Sequence, residues 1–244
     1  MSQDTLPEGS IPLHWLARVP AFEALPGLVH GFERRRAMAP PETREATRTR
    51  VEQGLAAEGR LHLTKQVHGR AVVEAPFADR PEADAQFTTQ RGILLGIETA
   101  DCLPVLLVDA ERGLVAAAHA GWRGTAAGVA VAATEALVSR GARRESLLAA
   151  LGPALGPCCY EVGDELVRQF GPDGARFFRP GPRGRPHLDV RAANVAQLEG
   201  AGLRPERIHN LADCTFCLPG FYPSYRRDGP GAGRMISFVG FRVP

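Results

Sequence analysis

The chain has 244 residues, of which 44% are hydrophobic and 23% charged, and its formal net charge is only +2. This is the composition of an ordinary globular protein, and so small a charge argues against steering toward nucleic acid or an anionic membrane. No apolar run approaches the ~20 residues that span a bilayer, and the first residues lack the pattern of a signal peptide. Five cysteines do not indicate a disulfide framework in a chain of this length, so we expect a cytoplasmic protein.

The pattern of apolar and turn-forming residues predicts an α/β fold in a single domain over residues 1–244. Short apolar runs bounded by turn residues predict strands at residues 27–32, 71–74, 92–98, 102–109, 113–119, 147–151, 208–213 and 235–241. Charged or alanine-rich stretches predict helices at residues 42–58, 126–139, 161–170 and 189–199. We expect Thr125 to cap the second of these helices and Asp189 the fourth. Residues 177–187 are rich in proline and glycine, which predicts a loop.

Three residues from separate segments, His68, Cys102 and His119, form the strongest candidate site. Two histidines and a cysteine are a ligand set for catalytic zinc, because three protein ligands leave the fourth position open for water or substrate. The same residues are equally consistent with a cysteine nucleophile and a histidine base. His119 lies at the end of a predicted strand, where open α/β sheets place their ligands. The residues alone leave both chemistries open.

Two segments carry candidate residues for binding an anionic or aromatic substrate. After His119, glycines lead into a predicted helix whose N-terminus can receive an anion, and the Arg123 guanidinium would add a forked donor there. The loop with Tyr225, Arg226 and Arg227 has an aromatic face and two cations, which suits a stacked base and an anion.

Three further polar residues belong to the predicted site. Lys65 and Gln66 directly precede Val67 and His68 in sequence, and we include both among the substrate-binding residues. Asp84 is a candidate acid that would carry a proton during catalysis.

The other four cysteines are interpreted as structural. Cys214 and Cys217 have the C-x-x-C spacing, but a structural zinc site normally needs a second such pair, and the sequence has none. Cys158 and Cys159 are adjacent, and neighbouring side chains of a strand point to opposite faces. We therefore expect Cys158 and Cys159 to pack or to line a pocket wall rather than to share a ligand.

With these residues assembled, the chain resembles the YfiH-type purine nucleoside phosphorylase family, formerly called the laccase-domain or multicopper polyphenol oxidase family. The resemblance covers roughly residues 60–240. It rests on QVHG at 66–69, EADA at 82–85, TADCLP at 99–104, AHAGWRG at 118–124, GPALGPCCYEVG at 152–163, YRRDG at 225–229 and GRM at 233–235. Residues 30–39 depart from the family pattern, because they lack a glycine-rich segment that members usually carry, and this departure bears on the substrate range.

The resemblance implies a layered α/β sandwich, related in shape to the catalytic domain of cytotoxic necrotising toxins. It implies that His68, Cys102 and His119 bind zinc, with copper reported in some members. The implied activity is phosphorolysis of purine nucleosides together with deamination of adenosine. The expected substrates are adenosine, inosine or methylthioadenosine, with phosphate, and no obligate protein partner is expected.

Two other activities compete with this one. A metal-free amide hydrolase would use Cys102 as nucleophile and His119 as base, like the cysteine–histidine pair of the toxins. A copper-dependent phenol oxidase would use two histidines and a cysteine as copper ligands. Multicopper oxidation also needs histidines in clustered pairs, and the seven histidines of this chain include no His-x-His.

Overall fold

The computed structural model describes residues 15–34 and 42–244, which form two large mixed sheets and one small sheet. The five-stranded sheet has the order β1-β2-β13-β6-β3, given by Leu16–Ala17, Leu28–Glu33, Met235–Phe241, Ile93–Thr99 and Arg60–Leu63 respectively. The six-stranded sheet has the order β12-β9-β7-β8-β5-β4, given by Ile208–Asn210, Leu148–Leu151, Leu103–Asp109, Leu114–Ala120, Ala85–Thr88 and Val72–Glu74 respectively. The small sheet pairs β10 (Phe178–Pro180) with β11 (Pro186–Leu188).

The two large sheets pack against each other because their central strands are apolar on both faces. Successive side chains of a strand point to opposite faces, so one strand supplies two cores. On β7, Leu106 belongs to the core between the sheets, whereas Leu107 belongs to the core on the outer face. On β13, Val239 packs between the sheets, and Phe238 packs on the outer face of the five-stranded sheet.

Helices cover the two outer faces and complete a layered α/β sandwich. The helices are α1 (Pro20–Glu23), α2 (Arg44–Leu55), α3 (Trp122–Ala127), α4 (Val129–Ser139), α5 (Asp164–Gln169), α6 (Val190–Gly200) and α7 (Tyr225–Asp228). Val51 of α2 packs on the five-stranded sheet, while Leu137 of α4 and Leu198 of α6 pack on the six-stranded sheet. None of the helices in the described ranges is long and apolar enough to cross a membrane.

The helix after His119 starts earlier than predicted. The expectation that Thr125 caps a helix over residues 126–139 is wrong. Helix α3 begins after Gly121, and Gly128 separates it from α4 with a left-handed φ of 78°. Glycine adopts this conformation without steric cost, so the backbone turns there. The Thr125 hydroxyl donates instead to the Ala120 carbonyl at 3.3 Å.

The region predicted as a loop at residues 177–187 contains the β10–β11 hairpin. Its prolines Pro180 and Pro186 are paired with each other at the ends of a sheet of only two strands. Proline lacks a backbone N–H, and at this position its absence removes no hydrogen bond between the strands. Asp189 does cap its helix, since its carboxylate accepts the Ala192 N–H at 3.0 Å. Three further short strands, β1, β3 and β5, were also not predicted.

Candidate metal and substrate site

Two strand ends and one loop bring His68, Cys102 and His119, hereafter the His–Cys cluster, to one point. Cys102 immediately precedes β7, and His119 is the penultimate residue of the antiparallel neighbour β8. His68 comes from the loop between β3 and β4, and its ring lies edge-on to that of His119 at 4.9 Å. The possible ligand atoms of all three residues lie within 4.8 Å of one another. Two imidazoles and a thiolate in this arrangement can hold a metal ion.

Asp84 holds both histidines in place from beneath the cluster. Its fully buried carboxylate accepts the backbone N–H groups of Val67 at 3.1 Å, His68 at 2.9 Å and Gly69 at 2.7 Å. These bonds stabilise a turn in which His68 has the unusual positive φ of 63°. Asp84 also accepts the proton on Nδ1 of His119 at 2.8 Å, which leaves Nε2 free to face the cluster.

The buried carboxylate of Asp101 fixes the conformation of this residue, which directly precedes Cys102. Asp101 has a φ of 87°, a conformation that non-glycine residues adopt only when their surroundings impose it. Its carboxylate accepts the Thr215 hydroxyl at 2.5 Å and the Arg226 backbone N–H at 2.6 Å. Its carbonyl accepts the Leu155 N–H at 2.8 Å. Loops far apart in sequence therefore fix the entry of β7 and, with it, Cys102.

The electrostatics of the cluster favour an ion pair between Cys102 and His119. Burial opposes ionisation of the Cys102 thiol, but the charge and hydrogen bond of His119 prevail and lower the pKa of Cys102 to about 6. Burial likewise lowers the pKa of His119, but attraction to Cys102 and the hydrogen bond to Asp84 raise it to about 9 overall. Burial would raise the pKa of Asp84, yet the hydrogen bond from His119 and the N–H of Gly69 keep that pKa below its usual value. The ion pair thus favours the thiolate form of Cys102 at neutral pH.

The His–Cys cluster lies in the wall of a cavity of about 590 Å³, a volume typical of small-molecule sites. Five of the predicted substrate-binding residues line the same cavity: Lys65, Gln66, Arg123, Tyr225 and Arg226. Among these, the Gln66 amide exchanges two hydrogen bonds with the backbone of Glu98, at 2.8 and 2.9 Å. Lys65 pairs with Glu82 at 2.7 Å. Both residues therefore line the cavity and also bond to neighbouring segments of the chain.

The remaining cation and aromatic residues present their groups to the cavity in different ways. The Arg123 guanidinium stacks over the Trp122 ring at 4.3 Å and has no ion-pair partner in the ranges that the structure describes. Arg226 donates to the Glu161 carbonyl at 2.9 Å and lies 5.6 Å from the Tyr160 ring. The Tyr225 side chain is 52% exposed at the cavity mouth.

Two predicted site residues do not line this cavity. Asp84 lies beneath the cluster, as described above. Arg227 directs its guanidinium away from the cavity, donating to the carbonyls of Thr215 at 2.9 Å, Phe216 at 3.2 Å and Tyr222 at 3.0 Å. Its hydrogen bonds stabilise the loop between β12 and α7.

Four arginines that the sequence prediction missed also line the cavity: Arg44, Arg48, Arg80 and Arg234. Arg48 and Arg80 both bind Glu98, at 2.7 and 2.9 Å. Arg44 and Arg234 lie close enough to repel each other, and this repulsion, after burial, lowers the pKa of Arg234. Arg234 lies within the GRM motif and could have been selected from it, whereas Arg44 carries no signal in the sequence.

The premise that Cys158 and Cys159 lie in a strand is wrong, and both residues lie close to Cys214 and Cys217. Their sulfur atoms all lie within 4.8 Å of one another, and we call this set the thiol cluster. Cys158 and Cys159 lie in a turn rather than in a strand, as the hydrogen bond from Cys159 N to Gly156 O at 2.9 Å shows. Adjacent side chains of a turn can point the same way, which the alternation of a strand forbids.

Comparison with known proteins places the chain in a family. Residues 38–242 match the family described as multi-copper polyphenol oxidoreductase laccase. A purine nucleoside phosphorylase of Deinococcus radiodurans is 42% identical over 191 residues, which are 77% of this chain and 72% of that protein. The adenosine deaminase RL5, from an unknown prokaryotic organism, is 41% identical over 73% of this chain and 74% of its own.

Solved structures agree with the sequence relatives. The crystal structure of YlmD from Geobacillus stearothermophilus has a TM-score of 0.80 at 31% identity, and covers 92% of this chain and 94% of its own. YfiH from Bacillus licheniformis has a TM-score of 0.81 at 25% identity, over 90% and 95% respectively. The α/β fold is therefore that of YlmD and YfiH, as the sequence motifs implied. The chain belongs to the laccase-domain family, and its relatives include the purine nucleoside phosphorylase YlmD of Geobacillus stearothermophilus.

Proposed function

We propose that this protein is a zinc-dependent purine nucleoside phosphorylase that also deaminates adenosine. The observation that carries the proposal is the position of the His–Cys cluster in the wall of a 590 Å³ cavity lined with arginines and aromatic rings. A nucleoside needs an aromatic surface for its base, and phosphate needs several cations. The names of the relatives, purine nucleoside phosphorylase and adenosine deaminase, support the same activity.

In this proposal His68, Cys102 and His119 hold the zinc ion. His119 binds through Nε2, because Nδ1 is engaged by Asp84 at 2.8 Å, and Cys102 binds as the thiolate that its lowered pKa favours. When bound there, zinc supplies Lewis-acid polarisation of the substrate or of water. In the metal-free protein the raised pKa of His119 favours its protonated form, so His119 would give up this proton on binding zinc.

Asp84 acts as a positioning residue in this scheme. Both of its oxygens are occupied by donors from Val67, His68, Gly69 and His119, and its side chain is fully buried. It therefore fixes the tautomer and orientation of His119 rather than carrying a proton to the substrate.

Arg123, Arg234 and Arg44 hold phosphate in this proposal. Arg44 and Arg234 repel each other at the cavity wall, and an anion between them would relieve that repulsion. Arg123 adds a guanidinium without an ion-pair partner in the described ranges. Cations placed this way also stabilise the charge on an attacking phosphate in the transition state. Tyr225 and Trp122 offer the aromatic faces for the purine.

A second candidate function rests on the thiolate itself. A Cys102 pKa of about 6 beside the His119 imidazolium is the condition of a cysteine nucleophile in an amide hydrolase. Elemental analysis combined with X-ray absorption separates the two candidates. Zinc bound by one sulfur and two nitrogens favours the phosphorylase, copper on the same ligands favours the oxidase chemistry of the family's older name, and an enzyme without metal at the His–Cys cluster that iodoacetamide inactivates favours the hydrolase.

The decisive experiment is to incubate the zinc-loaded protein with adenosine, with and without phosphate, and to identify the products. Phosphorolysis breaks the bond between base and sugar and yields adenine and ribose 1-phosphate only when phosphate is present. Deamination consumes water and yields inosine and ammonia without phosphate. Protein stripped of metal and then reloaded with zinc is the matched control, and turnover that survives complete removal of the metal would overturn the proposal.

A further inference from the structure

The thiol cluster lies outside the cavity that the proposed reaction uses. Four of the five cysteines belong to it, and all of them are free thiols. They come from two turns: Cys158 and Cys159 precede Tyr160, and Cys214 and Cys217 begin and end a turn closed by the Leu218 N–H donating to the Cys214 carbonyl at 3.1 Å. Two turns far apart in sequence thus present two sulfur atoms each to one point.

Backbone pairing holds the two turns in register. Ala154 and Cys214 form an isolated parallel bridge, with the Thr215 N–H donating to the Ala154 carbonyl at 3.1 Å. The guanidinium of Arg191 donates to the carbonyls of Ala154, at 3.2 Å, and of Asp213. These contacts involve no sulfur, so the protein scaffold itself preforms the arrangement of the cysteines.

The spacing of the sulfur atoms suits a tetrahedral ion. Zinc–sulfur bonds of ~2.3 Å in a tetrahedral site place the sulfurs about 3.8 Å apart. The distance from Cys217 Sγ is 3.7 Å to Cys158 Sγ and 3.4 Å to Cys159 Sγ. Gly156 permits this approach, because a Cβ at that position would lie 3.3 Å from Cys158 Sγ and 3.4 Å from Cys214 Sγ.

The surroundings of Cys214 also favour its thiolate form. The Gly156 backbone N–H donates to Cys214 Sγ at 3.2 Å, a bond that stabilises a thiolate and is common around metal ligands. Arg191 is buried and lies within electrostatic range of Cys214 and Cys158. Its Nε has no hydrogen-bond partner among the described residues. A divalent ion with four thiolates has a net charge of −2, which this buried cation would offset.

We propose that Cys158, Cys159, Cys214 and Cys217 form a second metal site, a closed tetrathiolate site for zinc. Four protein ligands leave no open position, so the ion has a structural role. Binding replaces the four thiol protons with the metal and releases them to solvent, with no change of oxidation state. The site joins two turns. One leads from Leu155 to Tyr160, and both of these residues line the cavity. The other contains Thr215, whose hydroxyl donates to Asp101. It therefore braces the loops that fix the entry of β7.

The test uses His119→Ala, which removes one ligand of the His–Cys cluster and leaves the thiol cluster intact. Purified under reducing conditions and equilibrated with excess zinc, then desalted, this variant should retain one zinc per chain. X-ray absorption at the zinc edge should show four sulfur neighbours and no nitrogen. No retained zinc, or zinc with fewer than three sulfur neighbours, would overturn the proposal. If disulfides form within the thiol cluster and the protein still binds no zinc there after these disulfides are reduced, the proposal is also overturned.

Cys217→Ser provides the complementary test. It should lose the zinc with four sulfur neighbours and retain metal bound by one sulfur and two nitrogens, while thermal unfolding shifts to lower temperature. If this variant does not fold, the absorption measurement on His119→Ala still decides the question. A failure of the proposed nucleoside chemistry would leave the four-sulfur signal unchanged, so the two proposals fail separately.

Discussion

The His–Cys cluster and the thiol cluster are built in opposite ways. The first has three potential ligands of two kinds, held by buried carboxylates and open to a cavity of about 590 Å³. The second has four sulfurs from two turns, held by backbone hydrogen bonds and by Arg191. Three ligands leave room for a reaction, whereas four exclude it. The comparison teaches that buried carboxylates support the proposed catalytic site, whereas backbone groups and one arginine support the proposed structural site.

The largest expected effect is a loss of zinc from the His–Cys cluster while the thiol cluster keeps its zinc. His119→Ala should lower the affinity of the His–Cys cluster for zinc more than ~100-fold, since losing a ligand costs more than losing its supporting group. Turnover of adenosine should fall below detection with it. Metal content and product formation are measured together, with His209→Ala, on the distant strand β12, as the matched histidine control. Full turnover in a His119→Ala protein whose His–Cys cluster holds no metal would contradict the assignment.

Thiol reactivity in the metal-free protein contrasts the clusters directly. Cys102 has a pKa of about 6, whereas burial, followed by a hydrogen bond to Cys214, raises the pKa of Cys158 to about 11. At pH 7 the larger thiolate fraction of Cys102, partly offset by its lower intrinsic nucleophilicity, predicts alkylation roughly 50-fold faster than at Cys158. Mass spectrometry of peptides after brief iodoacetamide treatment measures both rates.

The pH profile of the same reaction has a definite sign. The thiolate of Cys102 is lost as the pH falls through about 6, so its alkylation rate should rise through that value and level off above it. His119→Gln removes the imidazolium that stabilises the thiolate and should move the midpoint toward that of an ordinary thiol. An ordinary midpoint in the unsubstituted protein would contradict the ion pair between Cys102 and His119.

The support beneath the His–Cys cluster should matter almost as much as a ligand. Asp84→Asn places an amide NH₂ or a neutral oxygen where two carboxylate oxygens accept the N–H groups of His119 and of Val67 to Gly69. We expect zinc affinity to fall about 30-fold, within the range typical for groups that orient metal ligands. Competition with a chelator measures the affinity, and the exposed Glu82→Gln is the control. An unchanged affinity would mean that Asp84 does not position His119.

The core and the principal strands could be predicted from local patterns, and the clusters only in part. Strand β13 has the predicted bounds, because its apolar run and flanking turns are local signals. The three members of the His–Cys cluster could be selected because each adjoins a strand end or a glycine turn. The thiol cluster could not, because its two pairs of cysteines are separated by more than fifty residues and one pair lies in a turn rather than in the strand that was expected. Arg44 could not be selected, because its approach to Arg234 is a tertiary contact that no local pattern signals.

The smallest expected effect tests how closely the backbone approaches Cys102. Gly121 has an ordinary negative φ, so alanine there causes no backbone strain, but its Cβ would lie 2.9 Å from Cys102 Sγ and 3.4 Å from His68 Cδ2. Cys102 is only half-buried, so we expect the sulfur to move aside at a cost near the lower end for overpacking, about 1 kcal/mol, or roughly fivefold in zinc affinity.

Gly200→Ala is the matched control, because nothing lies within 4 Å of the added Cβ. The four-sulfur zinc signal should be the same in both variants, since Gly121 contacts no residue of the thiol cluster within that distance. Equal zinc affinity of Gly121→Ala and Gly200→Ala would mean that the position of Cys102 Sγ is not set by the backbone at Gly121.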